Sequence, residues 1–191
     1  KHPSFGSIVS AVYGANHPQN GVPTYVKQGK IEGDEGAWLG GAYKPFDPSN
    51  KDNLTPRVEL DRFSTRKELL RGLDAARLAG QSASSVDFYK GQAYDVILGS
   101  AKDAFATDKE EQSTKDLYGS AKANDIGEQL LLARRLVEHG TKFITLSYGG
   151  WDMHSNISSA LKQKVSPIDK AIAGFLEDLD QRGLSQKVLL I

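Results

Sequence analysis

Cysteine is absent from the 191 residues. That excludes disulfide staples, thiolate nucleophiles, and zinc or iron–sulfur sites held by sulfur. A charge surplus is missing as well: 24 Lys+Arg balance 24 Asp+Glu, for a formal net charge of zero. A chain built mainly to grip nucleic acid or an anionic membrane needs a basic excess, so neither partner is expected. No stretch approaches the roughly 18 apolar residues that a membrane-spanning helix requires. The opening Lys1-His2-Pro3-Ser4 does not read as a signal peptide. The P-loop and dinucleotide glycine fingerprints are missing, and so is the G-x-S-x-G elbow of serine hydrolases. Ser147, Asp152 and His154 lie too close in sequence to be assumed a catalytic triad.

What is present is an ordinary composition, 39% hydrophobic and 25% charged, with a mean hydropathy of −0.44. At roughly 150 residues per domain the length suits one domain. Residues 1–191 are therefore read as a single domain. The end, Lys187-Val188-Leu189-Leu190-Ile191, is an apolar run with no turn after it and reads as a buried strand. The expectation is a partial domain, a fragment cut from a longer chain at both ends. The unpaired sheet edges of such a fragment would invite self-association.

Along the chain, Phe5, Ile8, Val9 and Val12 recur at helical spacing over residues 4–13, and Gly14 is a stop. Val22 to Val26 reads as a short strand. Residues 29–56 form a long irregular excursion rich in Gly, Pro, Asn and Asp, in which Trp38, Leu39, Tyr43 and Phe46 predict packing onto a surface. Thr65 and Glu68 fit a capping box before the stripe Leu69, Leu73, Ala76, and Val86, Tyr89, Ala93 and Ile97 continue a second helix. Thr107 to Asp116 reads as a solvated loop or frayed end. Ile126, Leu130, Ala133 and Val137 mark the clearest helix, closed by Gly140. Arg134, Arg135 and His139 near its end suit the helix dipole; the two arginines read by default as a solvated pair, with an anion site as the alternative.

Residues 142–146 read as a strand. Ser166, Pro167 and Asp169 mark a helix start, with Ile168, Ile172, Phe175 and Leu179 as its stripe and Gly183 as its end. With the strand at 187–191, residues 140–191 make a βαβ unit with a right-handed crossover. The fold class expected is α/β, helix-rich, with a mostly parallel sheet.

Ligands of parallel sheets bind in the loops beyond the carboxyl ends of strands. The loop after strand 142–146 runs from Ser147 to Asn156 and holds the only Asp-x-His of the chain, Asp152 and His154. Residues two apart in extended backbone point to the same side. A carboxylate oxygen and an imidazole nitrogen then converge, which suits a zinc-class or other divalent cation at about 2.0–2.2 Å. Gly149 and Gly150 let the backbone turn sharply, and Trp151 reads as a wall. Two ligands do not close a site, so others must come from elsewhere. The same residues also admit a local role, with His154 capping the loop and Asp152 forming an Asx-turn.

The block Leu130–Ile144 (LLLARRLVEHGTKFI), followed by Gly149-Gly150-Trp151-Asp152-Met153-His154-Ser155-Asn156, resembles the bacterial domain-of-unknown-function family numbered 1501. His2 to Ser7, Tyr118-Gly119 and Asp178 to Leu184 support the likeness. That family is grouped with the alkaline phosphatase and sulfatase superfamily. The resemblance implies a three-layer α/β/α sandwich, of which this chain holds the central fragment, and a metal-dependent phosphate or sulfate ester hydrolase of which that fragment would be inactive as isolated. It implies Asp152 and His154 as ligands of a divalent cation of zinc or calcium class. Trp151, Asn156, Gly149 and Gly150 would stand behind them or line a substrate wall, and the nucleophile would lie outside these residues. It also implies a small anionic ester or a sulfated or phosphorylated carbohydrate as substrate, and export to the periplasm. The alternative is a non-catalytic binding or scaffolding member at the cell envelope, working through the 29–56 excursion.

Overall fold

The computed structural model describes residues 2–49, 101–120, 122 and 125–191. The helices expected at 65–80 and 86–97 lie outside the described residues. The described chain is helix-rich with a small two-stranded parallel sheet, compatible with an α/β class. It falls into two compact units.

The first unit takes residues 2–49, 101–103 and 139–145. Helix α1 (Phe5–Tyr13) begins at Ser4, whose Oγ accepts from Ser7 N at 3.3 Å, and ends at Gly14, whose φ of 89° only glycine adopts cheaply. Its buried face is small and polar: Gly6, Ser7 and Ser10. The apolar residues Phe5, Ile8 and Val12 face outward. The inversion follows from Gly6, where a Cβ would stand 2.4 Å from the Tyr25 ring. Only a residue without a side chain can stand against that ring.

Strand β1 (Tyr25–Gln28) starts later than the reading of 22–26, because Pro23 lacks the N–H that a ladder needs and makes only an isolated antiparallel bridge with Asn16. It pairs with β2 (Phe143–Leu146), the strand expected at 142–146. Thr24 O accepts from both Lys142 N and Phe143 N at 3.0 Å, and Tyr25 and Phe143 meet edge to face at 5.5 Å. Tyr25 donates its hydroxyl to Asp34, and burial together with that bond pushes its pKa up to about 12. The described part of the excursion is held at its far end, where Phe46 bridges Val26 in parallel. Trp38 departs from the packing expectation: it is 72% exposed on a 3₁₀ turn, Ala37–Leu39.

The second unit takes residues 104–138 and 146–191. Helix α2 (Gln112–Tyr118) occupies the stretch expected to be a solvated loop. Its polar sequence hides it, since it buries little besides Tyr118. Helix α3 (Ile126–Glu138) is the helix read from its stripe, with Asp125 Oδ1 accepting from Glu128 N at 2.8 Å as its cap.

Helix α4 (Ile157–Gln181) corrects the expected start at Ser166: Pro167 sits inside it. Proline removes one helical hydrogen bond, leaving the carbonyl of Gln163 without that donor, but Gln163 is exposed and water can replace it. The first half buries almost nothing, so no stripe announces it, and good helix formers from Ala160 to Lys164 sustain it. Leu130, Leu131 and Leu136 of α3 and Ala171, Phe175 and Leu179 of α4 form the core.

Residues 187–191 correct the second strand of the expected βαβ unit. They lie in no strand, and Leu189 is 81% exposed. A strand exists only where a neighbour accepts its hydrogen bonds, and β2 pairs with β1 instead.

Candidate functional site

The loop from Ser147 to Asn156 leaves β2 and enters α4. It brings Asp152 and His154 together, with Asp152 Oδ1 and His154 Nδ1 3.6 Å apart. Both are open to water, at 93% and 81% side-chain exposure. Two ligand atoms of one zinc-class cation, each about 2.0–2.2 Å from it, stand about 3.0–3.6 Å apart in ordinary geometries. The pair therefore fits two adjacent positions of such a cation. Among the described residues, no group of three or more His, Asp or Glu side chains is placed to hold a metal ion.

The neighbouring residues take distinct places. Gly150 has a φ of 80°, which reserves the position for glycine. Trp151 is half-exposed and donates Nε1–H to Tyr148 O at 2.6 Å. Met153 N donates to Trp151 O at 3.1 Å, closing a tight turn centred on Asp152. Asn156 adopts left-handed backbone (φ 49°), and its carbonyl accepts from Ala160 N at 3.0 Å as the first turn of α4.

A second constellation is not legible in the sequence. Arg134, read as half of a solvated pair, is 1% exposed. Its Nη1 reaches Glu138 at 2.8 Å, its Nε lies 2.8 Å from Asp178 and its Nη2 3.0 Å from Glu110. Arg182 holds the other oxygen of Asp178 at 2.6 Å and Glu138 at 2.8 Å, Arg135 pairs with Glu110, and Tyr118 donates to Asp178 at 2.8 Å. Three guanidinium groups thus meet three carboxylates, and the cluster is neutral. One signal is available: Arg134 follows Leu130 by four and Leu131 by three, so it shares their buried face.

Burial alone would raise the Glu110 carboxyl, but the hydrogen bonds and charges of Arg134 and Arg135 outweigh it and hold the group below its usual 4.5. A depressed folded-state pKa contributes stability above the unfolded value, and this is lost as pH falls through the folded one. The helical unit should lose stability on acidification below about pH 4.5. Glu110→Gln should lower stability at pH 7 and flatten that slope. Urea midpoints by circular dichroism between pH 7 and 3 check it, and parallel slopes in both proteins would remove Glu110 as the cause.

Comparison with known proteins gives one relationship. No curated protein and no solved structure matches the chain. The family model described as "Protein of unknown function (DUF1501)" matches residues 1–191, so the chain belongs to that family.

Proposed function

We propose that the protein is a metal-dependent hydrolase of phosphate or sulfate esters, alkaline phosphatase-like in its α/β/α layering, in which Asp152 and His154 are two ligands of a divalent cation. The observation that supports this reading is the convergence of one carboxylate oxygen and one imidazole nitrogen at 3.6 Å, at the carboxyl end of a parallel strand. A zinc-class cation, when bound, would supply Lewis acidity toward an anionic ester oxygen. The residues of this chain bring the remaining conditions. Asp152 offers negative charge that lowers the net charge of a dication, and His154 offers an imidazole nitrogen as the second donor. Their exposure leaves a face open for further ligands and for substrate. On this reading the substrate is a small anionic ester or a sulfated or phosphorylated sugar, and the protein works in the bacterial periplasm.

Elemental analysis after dialysis tests the assignment, with wild type beside Asp152→Ala/His154→Ala. Wild type should retain zinc or a similar dication, and the double variant should lose affinity by about tenfold or more, since even partners behind metal ligands are worth about 10–100-fold. In the full-length protein, hydrolysis of aryl phosphate and sulfate esters should fall in parallel. Equal metal content in both proteins would remove the assignment.

A further inference from the structure

The loop carrying the candidate ligands is tied to α4 through one side chain. Lys164 donates its ammonium to Gly149 O. The same nitrogen stands 4.4 Å from the centre of the Tyr148 ring and 5.1 Å from that of Trp151. The two rings meet edge to face at 6.0 Å and 71°. An ammonium carries three N–H groups, and here it faces one carbonyl and two aromatic rings. Its contacts are therefore supplied by the chain, which favours holding the loop over reading an anionic substrate directly.

Gly150 completes the arrangement: a Cβ there would stand 3.0 Å from Lys164 Nζ and 3.1 Å from Cε. The order Tyr148-Gly149-Gly150-Trp151 thus provides two rings, one carbonyl and one gap for a single lysine. The connection continues to the ligand pair. Trp151 Nε1 donates to Tyr148 O, and Trp151 O accepts from Met153 N, the residue between Asp152 and His154.

We propose that Lys164 is the positioning residue of this loop, an ammonium clamp that sets the backbone from Tyr148 to Met153 and so presents Asp152 and His154 on one side. The inference rests on the reading of those two residues as cation ligands, but the clamp is measurable without any cation. The probe is hydrogen exchange of the Trp151 indole N–H in the ¹⁵N-labelled chain, assigned by Trp151→Phe. Lys164→Met keeps the stem and removes the charge. It should speed that exchange about tenfold, as loss of cation–π and carbonyl contacts frees the ring. Lys164→Arg should restore most of the protection. Backbone amides of Leu131 and Leu179 in the core should keep theirs. Unchanged Trp151 exchange in Lys164→Met, or an equal loss at Leu131 and Leu179, would overturn the clamp.

A second arm links the clamp to the pair. The dissociation constant for zinc ion should weaken about fivefold in Lys164→Met, the cost of presenting two ligands from a looser loop. Wild-type affinity in a variant whose indole exchanges freely would overturn the positioning role. If wild type takes up no zinc, the cation reading fails, while Trp151 exchange still decides whether Lys164 holds the loop.

Discussion

Replacing Arg134 by alanine is expected to destabilise the helical unit by about 3–5 kcal/mol, the usual cost of removing one partner from a buried ion pair. The size comes from what stays behind. Asp178 and Glu110 are 5% and 10% exposed, and water cannot rescue carboxylates so placed. Arg182 still holds one oxygen of Asp178, and Arg135 still pairs with Glu110, which keeps the loss within that range. Arg134→Lys should restore little of it, because one ammonium cannot span the three carboxylates that a guanidinium fork reaches. The combination Arg134→Met, Asp178→Asn removes one charge of each sign, leaves Arg135 paired with Glu110 and Arg182 with Glu138, and should recover part of the loss. Urea unfolding followed at 222 nm measures all of these. A loss below about 1 kcal/mol for Arg134→Ala would mean that the carboxylates find water or new partners.

That cluster also marks where sequence reasoning stops. Helix α3 is legible because Ile126, Leu130, Ala133 and Val137 repeat at the helical period, and β2 because Phe143, Ile144 and Thr145 are β-formers. Glycines at 14 and 183 end helices as expected, both with positive φ. What escapes is any element whose reason lies elsewhere in the chain. Helix α2 is polar, and its Tyr118 hydroxyl finds its partner on α4, which local periodicity cannot register. The first half of α4 is a helix without a buried face, so the capping pattern at Ser166 and Pro167 reads as the beginning. Arg134 reads as solvated because its partners, Glu110 and Asp178, are distant in sequence. At the candidate site Asp152 and His154 lie 3.6 Å apart across a tight turn, where the spacing alone predicts extended backbone. Lys164 is invisible there, since nothing local connects it to two rings a dozen or so residues earlier.

Gly174→Ala should cost about 1–3 kcal/mol, although alanine is the better helix former by about 1 kcal/mol. At this position α4 approaches the end of α2 closely: a Cβ would stand 2.5 Å from Leu117 O, 2.8 Å from Leu117 C and 3.1 Å from Tyr118 Cα. All three are backbone atoms, so no side chain can swing aside and one helix must move. From the other side Gly127 of α3 is equally tight, with its Cβ position 2.5 Å from Tyr118 O and 2.8 Å from Ser120 N. The final turn of α2 is wedged between two glycines, which is why its displacement cannot be shared. Moving it draws the Tyr118 hydroxyl away from Asp178, the same carboxylate that Arg134 and Arg182 grip. The two effects should therefore be coupled. Tyr118→Phe should cost less in the Gly174→Ala background than in wild type, because the bond it removes is already weakened. Additive losses in the double-mutant cycle would show that the helix shifts without carrying Tyr118, and that the tight approach and the ion cluster are separate sources of stability.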